Sequence, residues 1–446
     1  MHALLRFTSL AVAALALAAC SDDPATPAAS TEPADNFRRL FVSDNASGAV
    51  RAYNLSDLSL AGEMTAAEPS IYFYATGSGR FIVNHQRSAN RVDVVDAGVF
   101  AVDQNTAVRR ALAMLHTFRD SVPIHGISNG NLFAVFFDGT GTTQVFDETR
   151  LAAGNTTPVA RIVKGATHGA SLGLANRWIV ASPPVGTTSP LPAGVNVYNL
   201  QGQLVDSARN CPSLHGAHAN ATAAVFGCLD GILAGRVTGT SQPVWSKLNY
   251  TDTRFRTGTV WGRWEGRWLL LRSTIPGQPT SNTTRRLGLY DSQTGTMDFL
   301  PTLEGTDIEW TAGLSANGAL SVALGRSGTL YVYDNATRTQ IGRLENVVPG
   351  FTSMPSGVAS WLEFSDDRVF ISAPTQNQVV EVRIGTAPQV LRRLTVPGVP
   401  TRMALAGVRG TGRFRLQAGR SGSRRPAPSR RRSPGPRRPR RGTPPC

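Results

Sequence analysis

The chain has 446 residues, 41% of them hydrophobic, and a formal net charge of +15. Thirteen arginines and no acidic residue fall in 409–446, so everything before that segment carries only +2. The length admits one large repeat array or several domains, and the near-neutral body excludes nucleic-acid binding driven by its charge.

Residues 1–20 read as an export signal. Arg6 supplies a positive start, and the apolar run 10–17 is too short for a spanning helix. It ends in Leu17-Ala18-Ala19-Cys20, which resembles the lipobox of bacterial lipoproteins. That resemblance implies lipidation of Cys20 and a protein exported to the cell envelope, held there by lipid and facing the periplasm. The alternative is an ordinary cleaved signal. Residues 21–37 carry Pro, Ser, Thr and Asp without apolar period and read as a flexible tether.

From 38 to 408 aromatic and β-branched runs alternate with Gly, Asn, Asp and Thr turns. The spacing predicts an all-β fold of eight units. The first two are 38–66 and 67–120, the second with an insertion after Asp96 that includes a short helix near 106–118. The third, fourth and fifth start near 121, 165 and 211; the last three are 253–305, 306–350 and 351–396. One strand, 401–406, is left over. A single β-propeller uses all of this, with eight blades (seven is the alternative) and a ring closed by adding the last strand to the first blade. A tandem of β-sandwiches explains the short strands but not histidines that recur in blade register.

Three His-Gly pairs stand at His125-Gly126, His168-Gly169 and His215-Gly216, at steps of 43 and 47 residues. One propeller blade has about that length. Equivalent positions in successive blades surround one axis, so the spacing brings three imidazoles to one point. Three neutral imidazoles are a zinc ligand set. The alternative is repeat grammar, with Gly relieving crowding and His filling a half-buried slot. Asp138 and Asp230 end the following strands and either orient an imidazole or serve Asp-Gly turns. His218 is offset by three residues from His215 and is expected on the opposite face. His85 and His116 are expected to be peripheral.

Cys211 and Cys228 flank a hairpin with its turn near Asn220 and are expected to face each other across antiparallel strands. Outside the cytoplasm such a pair oxidises to a disulfide; a zinc–thiolate site is the alternative. Gly-x-Ser-x-Gly occurs at 126–130 and 169–173, but no helical pattern follows either copy, so both read as turn grammar rather than nucleophile elbows. No Glu, Asp or Asn set repeats in register, as the hard-cation hydrolases built on propellers require. The expectation is a protein that is not an enzyme.

The block Cys211-Pro-Ser-Leu-His215-Gly216, continued by Phe226-Gly227-Cys228-Leu-Asp230-Gly231, resembles the signature of AztD-type periplasmic zinc metallochaperones. Ala75–Arg80 with Ala89–Asp96, and Phe133–Gly139, resemble two further stretches of that family. The resemblance covers roughly 38–408. It implies a β-propeller that binds zinc and hands it to the substrate-binding protein of a zinc ABC importer, with His125, His168 and His215 as ligands and Cys211–Cys228 as a disulfide. This chain departs from the family in lacking a His-rich mobile segment. It also reads Thr167-His168 where a His pair is common, and Gly216-Ala217-His218 where Gly-Glu-Ala is. Zinc storage or delivery is therefore the expected function. A non-catalytic propeller serving as a protein-binding platform is the alternative, and a metal-dependent hydrolase is a third. Membrane contact is expected through the lipid alone. The segment 409–446 is expected to be a disordered Arg/Pro-rich tail, and its abrupt composition also fits a frameshifted ending.

Overall fold

The computed structural model describes residues 31–183, 191–351, 358–410 and 413–417. Residues 1–20, where the export signal is expected, and with them Cys20, lie outside the described residues, as does Cys446. Among those residues no helix is long and apolar enough to cross a membrane.

The strand Leu132–Phe137 shows how sequence sets the packing, since all six of its residues are buried. Successive side chains point to opposite faces of a strand. Phe133, Val135 and Phe137 accordingly pack with Phe81, Val83 and Phe118 of the preceding sheet. Leu132 and Ala134 pack with Ile179 and Ala181 of the following one. A continuous apolar run is what a strand covered on both faces demands.

Among the described residues the strands make nine four-stranded sheets. Eight succeed one another along the chain and are antiparallel within. The third to eighth each use four consecutive strands, beginning with Pro123–Asn129 and finishing with Gln389–Thr395. The first has the order Pro400–Gly407, Arg38–Asp44, Ala49–Asn54, Leu60–Thr65. The left-over C-terminal strand thus joins the first sheet, with Leu405 opposite Leu40 and Met403 opposite Val42.

Consecutive sheets pack face to face in a propeller-like arrangement. An apolar cluster fills each boundary from first–second to seventh–eighth. Another joins the eighth sheet to the first through Phe370, Val379, Leu40 and Val42. Buried amides add polar latches at the ends of the first strands. The Asn129 side chain donates to the carbonyls of Gly173 and Asn220, and that of Asn220 donates to the Gly266 carbonyl and the Ser292 hydroxyl. Each such amide satisfies backbone groups that the sheet ladders leave open.

Three expectations change. The segment 106–118 is not helical; it holds the strands Thr106–Arg109 and Ala113–Arg119. Its Ala and Leu residues favour a helix, but Ala113–Arg119 pairs with the open edge of Arg91–Asp96 and becomes the fourth strand of the second sheet. The tether ends earlier than 37, because Thr31–Pro33 is a strand and Ala34–Phe37 a 3-10 turn. The tail contributes structure at Arg413–Leu416. That strand lies between Thr31–Pro33 and Thr106–Arg109, and Val99–Ala101 completes a ninth, lateral sheet. Its small core holds Ala34, Phe37, Ala107, Val408 and Phe414.

Phe414 is 5% exposed and meets the Phe37 ring edge-on at 6.1 Å. Replacing it by Ala should cost about 3 kcal/mol, as for other buried phenylalanines. A chain ended after Val408 should melt several degrees below one ended after Gln417. Thermal unfolding followed by circular dichroism compares the two, and equal melting would mean that the lateral sheet adds no stability.

Candidate metal centre

His125 lies in Pro123–Asn129, His168-Gly169 just precedes Ser171–Leu174, and His215-Gly216 just precedes Ala217–Ala219. These are the first strands of three consecutive sheets, and they touch one another in sequence. The three imidazoles meet as the spacing predicts. Ring centroids are 5.1 Å apart for His125–His168, 5.3 Å for His168–His215 and 6.2 Å for His125–His215.

Each paired glycine is required by what stands behind it. A Cβ on Gly126 would lie 2.3 Å from the His85 Nε2 and 2.5 Å from the Tyr74 ring. On Gly169 it would lie 2.2 Å from the Ser182 hydroxyl, and on Gly216 2.6 Å from the Gly258 carbonyl. Gly216 also has φ +77°, which only glycine adopts without strain. The glycines thus let the neighbouring sheets close in and carry the histidines together.

Hydrogen bonds set two of the tautomers. The His168 Nδ1–H donates to the Asp138 carboxylate at 2.7 Å, and the His215 Nδ1–H donates to the Gly258 carbonyl at 2.9 Å. Both leave Nε2 with a free lone pair, as the outer partners of metal-binding imidazoles do. The Nε2 atoms of His125 and His168 are 3.4 Å apart. Two nitrogens sharing a tetrahedral zinc at about 2.0–2.1 Å would stand about 3.3–3.4 Å from one another. Without metal the same pair fits a weak N–H···N bond donated by His125.

Burial disfavours the imidazolium form, and the neighbouring imidazoles add to the effect. The pKa of His125 is lowered to about 3 and that of His215 is also lowered. Both are therefore mainly neutral at pH 6.5, and His125 stays so well below it; neutral imidazole is the form that metal binding needs.

The set is not closed as it stands. Among the described residues, no three His, Cys, Asp or Glu groups already adopt a metal-holding arrangement. The rings of His168 and His215 are nearly parallel, at 27°, and so lie side by side rather than converging.

Other residues sort differently. Asp138 orients His168, whereas Asp230 pairs with Lys247 and plays no part at the cluster. His218, in the strand Ala217–Ala219, lines a cavity with Arg263 and Trp264, whereas His215 lies in the loop before that strand, so the two do not share the strand on which their offset would set them on opposite faces. His116 packs on Phe118 in an outer strand. His85 is not peripheral but wholly buried, with its centroid 6.2 Å from Tyr72 and 5.8 Å from Tyr74, and neither ring nitrogen has a partner. Tyr72 in turn lies 5.3 Å from the His125 ring. This aromatic backing comes from the preceding sheet and has no signature of its own. The two Gly-x-Ser-x-Gly stretches run into first strands rather than turns, and no helix follows either.

Cys211 and Cys228 are buried and disulfide-bonded. They are not directly opposed across strands. The register Ala217↔Phe226, extended, would set His215 opposite Cys228. Instead 212–216 forms a loop, with Ser213 and Gly216 at positive φ, and Cys211 reaches the strand end from it. The bond therefore anchors the loop that carries His215. Replacing both cysteines by Ser should destabilise the protein by about 3 kcal/mol, the chain-entropy value for a loop of this size. Urea unfolding of the double variant beside wild type measures it.

His85 gives a pH test. Its pKa is lowered to about 3 by burial, so the unfolded chain binds a proton that the folded one refuses between pH 6.5 and 3. Stability is lost as pH falls through that window, at about 1.4 kcal/mol per unit for each such group. His85→Phe should reduce the slope of unfolding free energy against pH, between about 6 and 4.5, by roughly one proton. An unchanged slope would mean that His85 is protonated in the fold.

No family model matches the chain. Over 219 residues it is 24% identical to the zinc chaperone AztD of Citrobacter koseri, a stretch covering 48% of this chain and 52% of that protein. The chain thus spans about half the length of the curated relative it matches. Two crystal structures of Citrobacter koseri AztD share its fold. The apo form superposes with a TM-score of 0.73 at 18% identity, over 86% of this chain and 100% of that one. The second gives 0.72 at 19% identity with the same coverage.

Proposed function

We propose that this chain, similar to AztD of Citrobacter koseri in fold and in its matched sequence, binds zinc through His125, His168 and His215 and serves in zinc storage or delivery. The observation that carries the reading is the pair of outward hydrogen bonds, His168 to Asp138 and His215 to Gly258, which occupy Nδ1 of each ring and leave its Nε2 lone pair available to a metal. The 3.4 Å gap between His125 and His168 already suits two ligands of one ion. Zinc arrival moves the remaining proton of His125 to Nδ1 and draws the His215 ring out of its parallel stack.

The eight consecutive sheets and the cluster joining the eighth to the first support a closed ring of eight blades. Export and lipidation at Cys20 hold this ring at the envelope. The receiver of the ion is the substrate-binding protein of a zinc ABC importer, and the role is carriage rather than catalysis.

Calorimetry of apo protein without a polyhistidine tag tests the site. Wild type should bind about one zinc, and His125→Ala, His168→Ala or His215→Ala should each weaken binding by about 100-fold or more. Asp138→Asn should cost about 10–100-fold by loosening the His168 ring. His116→Ala should change nothing. No binding by wild type at micromolar zinc would refute the reading, and silence of all variants would favour a protein-binding platform.

A further inference from the structure

A second feature lies apart from the histidine cluster, where the first strands of the sheets end. A cavity of about 260 Å³ is lined there by Arg263, Arg409, Glu265, Glu363, Trp264, Tyr74 and Ser128, among others. Its charged groups come from different sheets and are held by backbone. Arg263 donates through Nε and Nη2 to the Leu314 carbonyl, at 3.2 and 2.9 Å, and its guanidinium lies 5.3 Å from the Phe364 ring centroid. Arg409 donates through Nη2 to the Thr76 carbonyl at 3.0 Å.

None of Arg263, Arg409 and Glu363 forms an ion pair within 4.0 Å among the described residues. They still sense one another. Arg263 and Glu363 are half-buried, which lowers the pKa of the one and raises that of the other, whereas Arg409 is exposed at the rim. The hydroxyls of Tyr74 and Ser128 are buried without a partner. Hydroxyls withdrawn from water without partners are costly. A ligand bearing both signs would match two arginines and two glutamates and reach the hydroxyls, whereas a dianion would meet Glu265 and Glu363 as like charges. At about 30 Å³ per water, the space equals about nine waters or one amino acid of middle size.

We propose that this cavity binds a small zwitterion, an amino acid with an apolar or aromatic side chain. Its carboxylate meets Arg263 and Arg409, its ammonium meets Glu363, and its side chain lies against the Trp264 indole. The site is independent of the zinc reading and works with the metal cluster full or empty.

Calorimetry with L-phenylalanine, on zinc-free and zinc-loaded protein, tests this. N-acetyl-L-phenylalanine lacks the ammonium and phenethylamine lacks the carboxylate. L-phenylalanine should bind, and each analogue should bind at least about tenfold more weakly. Glu363→Gln should weaken L-phenylalanine by about tenfold and leave the N-acetyl analogue unchanged; Arg263→Lys should weaken L-phenylalanine and leave phenethylamine unchanged. If Arg263→Lys does not fold, the isosteric Glu363→Gln decides alone. No heat up to about 10 mM ligand, equal binding of the analogues, or indifference of Glu363→Gln would overturn the proposal and leave a water-filled cavity.

Discussion

Every sheet in the main body is covered on both faces, and the rest of the structure depends on that constraint. A lone four-stranded sheet with two apolar faces has nowhere to hide them. Packed in series, each sheet covers its neighbours, and the contact of Phe370 and Val379 with Leu40 and Val42 leaves neither the first nor the eighth with an exposed face. The addition of Pro400–Gly407 to Arg38–Asp44 covers an edge that would otherwise offer unpaired N–H and C=O groups. The histidine cluster is a by-product of this geometry. Its three members occupy one repeat position, and the packing angle between sheets decides that they meet.

Much of this was legible in the residues. Apolar runs and turn chemistry marked out the unit 306–350, which folds as four consecutive strands of one sheet, because the middle two, Leu320–Gly325 and Leu330–Asp334, are almost wholly buried and so carry an unmistakable apolar run. The register of the three His-Gly pairs foretold their convergence for the same reason. What escaped notice lacks any repeat. The insertion after Asp96 has a composition that favours helix, and only an open strand edge elsewhere in the fold makes it a strand. Tyr72 and His85 back the His125 ring from another sheet, at positions that no spacing rule marks. The charges of Arg263, Glu363 and Arg409 come from three separate sheets or their ends and share no motif.

The cysteine pair shows how a correct pairing can rest on an incomplete geometry. The bond exists, yet Cys211 approaches from a loop whose two left-handed residues allow it to turn back. Regular pairing would have put the imidazole of His215 where the sulfur now is. The loop thus separates two tasks, with the cysteine locking the strand end and the histidine left free to face its counterparts.

The lateral sheet has a mechanical consequence. Thr31 is paired with Arg415 and Pro33 with Arg413, so the chain before 31 and the chain after 416 leave from the same end of one antiparallel pair. A pull on either terminus loads that end first and peels the strands apart one residue pair at a time. Behind it, Phe37 and Val408 hold the chain together where it enters the first sheet. While that pair holds, tension applied between the two ends crosses it directly and bypasses the body of the protein, the histidine cluster included.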